Sequence, residues 1–119
     1  MPYLADTKEL GKLEIKTVYV YYDFPCLFSC VNEYGKIYIA LFVGETEYEF
    51  KWYYVNVSLE RLSIIESGEM DFRDAFKNTE DKMVWWVSIP KNEDKAVYIP
   101  SSDIPDEVLP KAGIKYQIK

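Results

Sequence analysis

The first half of the chain carries four apolar or alternating segments, each ended by a short polar turn. Alternation of apolar and polar side chains is typical of β-strands, and Gly35 and Gly44 can supply the positive φ of tight turns. The third segment is apolar on both faces, so we expect it in the middle of a sheet. Such short connections favour an antiparallel meander. The predicted strands are residues 13–22, 25–31, 36–43 and 48–57.

After residue 57 the spacing of apolar residues changes from two to about 3.6, which indicates helix. Ser58 is a favourable N-cap for a first helix, and Gly68 is a favourable residue to end it. Asp71 is the predicted N-cap of a second short helix over residues 72–77. Both helices are short, so packing on the sheet must stabilise them.

The alternating pattern returns at residues 83–89 and 95–99, which we interpret as a β-hairpin with its turn at residues 90–94. The sequence therefore predicts one α+β domain over residues 1–119. We expect it to contain an antiparallel β-meander of about four strands, two short helices and a C-terminal β-hairpin that extends or flanks the sheet.

Both ends of the chain are less regular. Residues 1–11 are expected to form a frayed arm, or a short helix over residues 3–10 that ends at Gly11. After the hairpin, three prolines leave room for at most one helical turn, at residues 106–109. Residues 114–118 are a candidate for a last edge strand.

Composition and charge narrow the range of partners. Aromatic residues make up 17% of the chain, which favours a sheet because aromatic side chains fit a pleated, half-buried surface. A formal charge of −6 disfavours duplex nucleic acid and anionic membranes, since both bind through clustered Lys and Arg. The sequence has neither a charged, apolar leader nor an apolar run of about twenty residues. We therefore expect no membrane partner and a cytoplasmic location.

No catalytic or cofactor motif is evident. The chain has no histidine, which removes the usual base near neutral pH and a common zinc ligand. Cys26 and Cys30 lie on one predicted strand, roughly 13 Å apart, which is too far for a disulfide. Two thiols are also too few for a zinc or iron–sulfur site. We predict no cofactor, no metal and no enzymatic activity, although a hydrolase built from distant carboxylates stays open.

Aromatic residues form the candidate binding surface. Neighbouring residues on a strand point to opposite faces, so Trp85 and Trp86 cannot both enter one core. Two alternatives stay open: either both faces of the sheet are covered, or one face remains exposed for a ligand or partner. Exposed aromatic side chains can stack on nucleobases. The candidate aromatic site residues are Tyr22, Trp52, Tyr54, Trp85 and Trp86.

Arg61 and Arg73 are the two arginines of the chain. Arg61 falls in the first turn of the first predicted helix, where the helix dipole disfavours a cation, so we expect it to have another partner. A surface salt bridge is one interpretation. The other is contact with a bound phosphate or carboxylate, which a guanidinium matches with two hydrogen bonds. Both arginines are therefore candidate ligand-binding residues.

Five segments follow one another in a recognisable order: YYDFPCLF at 21–28, YIALF at 38–42, VSLERL at 57–62, SGEMDFRDA at 67–75 and IPSSDIPDEVLP at 99–110. In this order they resemble a family of small uncharacterised domains found in bacteria and their phages. The resemblance covers nearly the whole chain and rests on aromatic and capping residues. It implies a cytoplasmic α+β module in a bacterial or phage context, and it assigns no activity and no site residue.

The expected function is non-enzymatic binding by a homo-oligomer. The specific hypothesis is a phage-type sponge that sequesters a nucleotide-derived immune signal. In it the aromatic residues stack on the base, and Arg61 or Arg73 holds phosphate. The alternative is a protein-interaction module, such as an immunity or inhibitor protein, that presents an acidic, aromatic-rich surface to a basic partner.

Overall fold

A computed structural model of the protein describes residues 3–90 and 93–116. Its main feature is an antiparallel sheet of six strands, in which the order of the strands follows their order along the chain. The strands are β1 (Leu13–Tyr22), β2 (Phe24–Asn32), β3 (Ile37–Glu45), β4 (Glu49–Val57), β5 (Met83–Pro90) and β6 (Lys95–Pro100). Helices α1 (Leu59–Glu66) and α2 (Phe72–Lys77) connect β4 to β5, and short 3₁₀ helices at Ser101–Asp103 and Asp106–Val108 follow β6.

The α+β class, the antiparallel sheet and the two helices agree with the sequence prediction. The number of strands does not, because the sheet has six strands and not about four. The reason is that β5 pairs with β4 in antiparallel register, from Glu49 opposite Pro90 to Tyr54 opposite Trp85. The C-terminal hairpin therefore continues the meander as its last two strands. Residues 91 and 92 of the predicted turn lie outside the described residues.

The N-terminal segment, residues 3–11, is neither a frayed arm nor a helix. Thr7 and Gly11 form an isolated antiparallel bridge, and the Thr7 hydroxyl accepts a hydrogen bond from the Leu10 backbone N–H at 3.1 Å. Ala5 and Leu10 are buried against the sheet. Burial of these two side chains stabilises an irregular segment that a helical pattern does not describe.

The predicted last strand is also wrong where the structure describes it. Residues 114–116 belong to no strand, whereas residues 117 and 118 of the prediction lie outside the described residues. The Ile114 carbonyl instead accepts a hydrogen bond from the Phe72 N–H at 2.9 Å, so the tail packs against the start of α2 and does not pair with a sheet edge. The single helical turn expected near residues 106–109 is present as the 3₁₀ helix Asp106–Val108.

Two apolar clusters cover the two faces of the sheet. The helix-covered face packs against α1, α2 and the 3₁₀ segments, and the N-terminal face packs against residues 3–10. The central strands contribute to both clusters because successive side chains point to opposite faces. Buried sheet residues on the helix-covered face include Ile39, Leu41, Tyr53, Val55 and Val84, and those on the N-terminal face include Phe28, Tyr38, Ala40, Trp52 and Tyr54.

Both predicted helix caps are confirmed. The Ser58 hydroxyl accepts a hydrogen bond from the Arg61 N–H at 3.0 Å, and the Asp71 Oδ1 accepts one from the Asp74 N–H at 2.8 Å. The Asp71 Oδ2 also accepts a hydrogen bond from the Gly113 N–H at 2.8 Å. These hydrogen bonds lower the pKa of Asp71, first through Gly113 and then through Asp74. One carboxylate thus caps α2 and holds the C-terminal tail.

No helix in the described ranges is long and apolar enough to cross a membrane.

Tyr54 holds the N-terminal segment in place. Its hydroxyl accepts a hydrogen bond from the Ala5 N–H at 3.3 Å and donates one to the Tyr3 carbonyl at 2.5 Å. The ring is fully buried, and this burial raises the pKa of Tyr54 well above its usual value. The hydroxyl therefore stays protonated and keeps its proton available for donation.

We expect Tyr54→Phe to lower the free energy of unfolding by about 1–3 kcal/mol, because it leaves a buried backbone N–H unsatisfied. Urea denaturation measures this loss, and amide exchange should show reduced protection at residues 5–11. Tyr53→Phe is the matched control, since Tyr53 is a buried residue of the same strand and its hydroxyl forms no hydrogen bond with another described residue. Equal stability of the two variants would contradict the role given to Tyr54.

Replacing Asp71 tests the cap and the link to the tail together. In Asp71→Asn the side-chain oxygen can still cap α2, whereas the amide NH₂ cannot accept the Gly113 N–H, so we expect a loss on the order of 0.5–1 kcal/mol at pH 7. Because the folded-state pKa of Asp71 is depressed, the wild-type contribution is present above the unfolded pKa of about 3.9 and disappears as the pH falls through the folded value.

The difference in stability between wild type and Asp71→Asn should therefore narrow as the pH falls from 5 towards 3. Urea midpoints across this range measure it. Asp103→Asn is the control, because Asp103 is exposed and its carboxylate forms no hydrogen bond with the described residues. A difference that stays constant down to pH 3 would show that the Asp71 charge contributes nothing.

Candidate functional site

A cleft of about 660 Å³ opens beside the N-terminal face, where the ends of β3 to β6 meet the N-terminal segment. We call it the aromatic cleft. Each of the four strands contributes a side chain to it, because antiparallel neighbours place residues of one face side by side. Its lining includes Tyr38, Asn56, Trp85 and Tyr98 from the sheet, with Glu9, Lys36, Ser58, Leu59 and Asp81 from the surrounding segments.

Trp85 and Tyr98 form the aromatic wall of this cleft. They are direct partners in the register of β5 and β6, and their ring centroids lie 4.6 Å apart with 37° between the planes. Tyr98 is 44% exposed, so one side of this ring pair is open to solvent. The wall therefore presents a stacking surface that the protein core leaves uncovered.

Tyr38 and Asn56 continue the cleft on the neighbouring strands. They are register partners on β3 and β4, and Tyr38 is buried. Burial raises the pKa of Tyr38, and the neighbouring Asn56 side chain partly offsets the increase. The Asn56 amide lies at the border of the cleft.

Asp81 connects the cleft to the loop before β5. Its Oδ1 accepts hydrogen bonds from the Met83 N–H at 3.0 Å and the Thr79 hydroxyl at 3.4 Å, and its Oδ2 accepts one from the Tyr98 hydroxyl. Partial burial raises the pKa of Tyr98 to about 12, and the adjacent Asp81 carboxylate adds to the increase. Tyr98 is therefore a neutral donor at physiological pH, and Asp81 fixes the orientation of its ring.

These groups can bind a flat ligand at its face and at its edge. The aromatic wall provides the face contact, while the Asn56 amide and the Asp81 carboxylate offer polar contacts to the edge. The charged groups in the lining are two carboxylates, Glu9 and Asp81, and one ammonium, Lys36. Among the described residues, no group of three or more His, Cys, Asp or Glu side chains is placed to hold a metal ion.

The structure separates the predicted aromatic residues into three environments. Trp85 lines the aromatic cleft, whereas Trp86 points to the opposite face and packs on Tyr53 with centroids 5.1 Å apart. This opposition agrees with the expected alternation of neighbouring side chains. Tyr22 is 76% exposed at the end of β1.

Trp52 and Tyr54 do not lie on an open face. Both are fully buried in the cluster of the N-terminal face. The ring of Trp52 packs against Phe28 at 5.6 Å and against Phe42 at 5.4 Å. Tyr54 also contacts Tyr3 and Ala5, so its surroundings include a segment for which the sequence predicted no packing.

The two arginines lie outside the aromatic cleft and already have partners. Arg61 donates a hydrogen bond to the Asn78 carbonyl at 2.5 Å, so its partner is a backbone oxygen and not an acidic side chain. Arg73 pairs with the Asp106 carboxylate at 3.3 Å and donates a hydrogen bond to the Pro110 carbonyl at 3.2 Å. Both side chains tie the helices to neighbouring loops, and within the described residues the surface salt bridge considered for Arg61 is found at Arg73 instead.

Sequence reasoning missed Tyr38, Asn56, Asp81 and Tyr98. A signal for Tyr98 was available, since extending the hairpin from its turn pairs Trp85 with Tyr98. Tyr38 and Asn56 meet this pair because β5 returns to β4 after two helices. The register of that long-range pairing is not encoded in a local pattern.

An exposed apolar strip lies on the outer half of β1, an edge strand of the sheet. We call it the β1 strip. Its side chains are Val18, Val20, Tyr21 and Tyr22, with exposures from 39% to 76%. Three irregularities in the β1–β2 register fall at or near this half of the strand. Such bulges disfavour direct strand addition at an edge, so this surface presents side chains and not a regular backbone edge.

Comparisons with other proteins identify one family. The model of a family described as "Family of unknown function (DUF6575)" matches residues 1–119. No curated protein matches the chain, and no solved structure does.

Proposed function

The chain belongs to DUF6575, a family of unknown function, and we propose that it is a non-enzymatic binding protein whose aromatic cleft takes a nucleobase-like ligand. The observation that carries this proposal is the paired Trp85 and Tyr98, which remain partly open in a cleft of about 660 Å³. That volume is within the usual range of small-molecule sites, about 300–1,000 Å³. Stacking on such a wall is a contact that any nucleobase can make.

Polar groups at the border of the cleft support a base that carries N–H donors. An ionised carboxylate has about four acceptor positions. Asp81 uses three of them for Thr79, Met83 and Tyr98, which leaves one for a ligand. The Asn56 amide adds a donor and an acceptor. The edge of a purine offers N–H donors and ring-nitrogen acceptors that match these groups.

A binder of this kind acts by sequestration. In our proposal the protein is a phage-type, homo-oligomeric sponge that lowers the free concentration of a nucleotide-derived immune signal. The phage context comes from the resemblance noted in the sequence, and the chemistry comes from the aromatic cleft. Arg61 and Arg73 are engaged by backbone carbonyls and Asp106, so the proposal no longer assigns phosphate to them.

Tyr98→Ala should weaken binding of guanosine or adenosine at least about fivefold, because stacking on an aromatic residue contributes about 1–3 kcal/mol per base. Titration calorimetry measures the affinity. Tyr48→Ala is the matched control, since Tyr48 is 79% exposed on the β3–β4 turn and lies outside the aromatic cleft.

A second measurement separates binding from catalysis. Ligand that is released from the protein by heat should be chemically unchanged, whereas a converted product would indicate an enzyme. Undetectable binding of both nucleosides and their 5′-monophosphates by the wild type would reject the proposal.

The β1 strip favours a second candidate, a protein-interaction module. Tyr21 and Tyr22 are 67% and 76% exposed on a protein of charge −6. Large amphipathic rings are favoured at protein interfaces, and an acidic surface attracts a basic partner. In this version the protein is an immunity or inhibitor protein that masks a basic surface.

For this candidate we expect the double variant Tyr21→Ser/Tyr22→Ser to lose a partner that wild type binds in a pull-down. Tyr34→Ser is the control, because Tyr34 is 80% exposed at the β2–β3 turn, away from the strip. The same partner should be retained by the control and released by higher salt, since screening weakens attraction between surface charges. Equal recovery from the double variant and wild type would exclude the β1 strip as the interface.

A further inference from the structure

A second cleft, of about 600 Å³, lies beside the loop that connects α2 to β5. We call it the lysine cleft. Two ammonium groups, three hydroxyls and one amide line it, and its lining contains no carboxylate. The lining therefore carries cations but no anion, although the chain as a whole has a formal charge of −6. The lining residues are Lys77, Asn78, Thr79, Lys82, Met83, Pro100, Ser101 and Ser102.

Lys82 is held in a backbone conformation that is unusual for a residue with a side chain. Its φ is 62°, in the left-handed region, which costs about 1 kcal/mol or more outside glycine. Two hydrogen bonds stabilise this geometry: the Lys82 N–H donates to the Thr79 carbonyl at 3.2 Å, and the Ser101 N–H donates to the Lys82 carbonyl at 2.9 Å. The backbone of Lys82 is therefore fixed from both sides.

The side chain of Lys82 is not held by contacts of this kind. Its ammonium forms no hydrogen bond or ion pair with any other residue that the structure describes. Strained residues that the surrounding structure holds in place are concentrated at functional sites. A fixed backbone and an unused cation in a cleft point to a ligand of opposite charge.

Lys77 provides a second, partly neutralised cation. Its ammonium lies 2.5 Å from the Asp106 carboxylate, which also pairs with Arg73 at 3.3 Å. One carboxylate is thus shared between two cations. These contacts lower the pKa of Asp106, with Lys77 as the largest cause and Arg73 adding to it. These three side chains together carry one net positive charge.

Hydroxyl groups supply the remaining donors. The Ser101 hydroxyl already donates to the Lys77 carbonyl at 3.3 Å, and the Thr79 hydroxyl donates to Asp81 at 3.4 Å. Ser102 is exposed, and its hydroxyl forms no hydrogen bond with another described residue. Asn78 and Lys77 each use part of their donors, on Asp74 and Asp106, so Ser102 and Lys82 are the lining groups whose side-chain donors are all unused within the described residues.

We propose that the lysine cleft is a binding site for a phosphate-type oxyanion, with Lys82 as its principal cation and Ser102 as a hydroxyl donor. A compact ammonium group is a common partner of phosphate because it acts as a point charge with three donors. The assignment of the phosphate to a nucleotide rests on the proposed function. Binding of an oxyanion in the lysine cleft does not depend on the proposed function.

The geometry connects the two clefts through one loop. Asp81 lines the aromatic cleft, and the next residue, Lys82, lines the lysine cleft. A phosphate beside the Asp81 carboxylate would be repelled, whereas Lys82 offers a cation one residue further along the chain. In the proposed arrangement the base contacts Asp81 and the phosphate contacts Lys82. Free inorganic phosphate is the other source of the same chemistry.

The test compares inorganic phosphate, guanosine and GMP on wild type, Lys82→Gln and Tyr98→Ala by titration calorimetry. We expect Lys82→Gln to weaken phosphate and GMP about tenfold and to leave guanosine unchanged, the effect of losing one charge-assisted hydrogen bond. Lys82→Arg keeps the positive charge and should retain most of the wild-type binding. Lys16→Gln, which removes an exposed charge on β1, should bind as wild type does. Thermal melts confirm that each variant is folded.

The outcomes separate this site from the aromatic cleft. Tyr98→Ala should weaken guanosine and GMP without affecting inorganic phosphate. If guanosine and GMP fail to use the aromatic cleft while phosphate still binds and depends on Lys82, the nucleotide proposal fails and the oxyanion site stands. If wild type binds neither phosphate nor GMP, or binds them equally well as Lys82→Gln, the lysine cleft is not an oxyanion site.

Discussion

The central strands of this protein are apolar on both faces, so the sheet must be covered twice. Exposed apolar surface costs about 25 cal/mol per Å², and the aromatic side chains of β4 make this cost large if either face stays open. The chain meets this requirement with two unlike covers. Helices α1 and α2 cover one face, and the irregular segment of residues 3–10 covers the other. Tyr54 joins the second cover to the sheet through the Tyr3 carbonyl and the Ala5 N–H.

The unequal covers explain where the protein has clefts. The N-terminal segment is short, and it leaves the ring pair of Trp85 and Tyr98 partly open on the outer strands. The loop between α2 and β5 borders this opening and carries side chains of both charges. Asp81 is bound to Tyr98 on one side, while Lys82 lines a separate cleft on the other. The proposed functions of both clefts therefore depend on how this loop is held.

Several features follow from local sequence and agree with the structure. Ser58 and Asp71 cap their helices through side chains that accept a hydrogen bond from the residue three positions later. Alternation of apolar residues locates the strands, because the period of two is a property of the extended chain itself. Opposite orientation of Trp85 and Trp86 follows in the same way. What the local pattern underestimated is the size of the sheet, since it does not specify the pairing of β5 with β4.

For the candidate site, too, some features follow from the sequence and others depend on the tertiary structure. The sequence by itself determined that aromatic residues are abundant, that Trp85 lies on a strand and that histidine chemistry is absent. Tertiary structure decided that Trp52 and Tyr54 are buried, because their partners come from other segments: Trp52 packs on Phe28, and Tyr54 bonds to Tyr3, about fifty residues earlier in the chain. It also directed Arg61 towards a backbone carbonyl. Strand period and helix caps act over a few residues, whereas burial and charge pairing depend on segments that only the folded chain brings together.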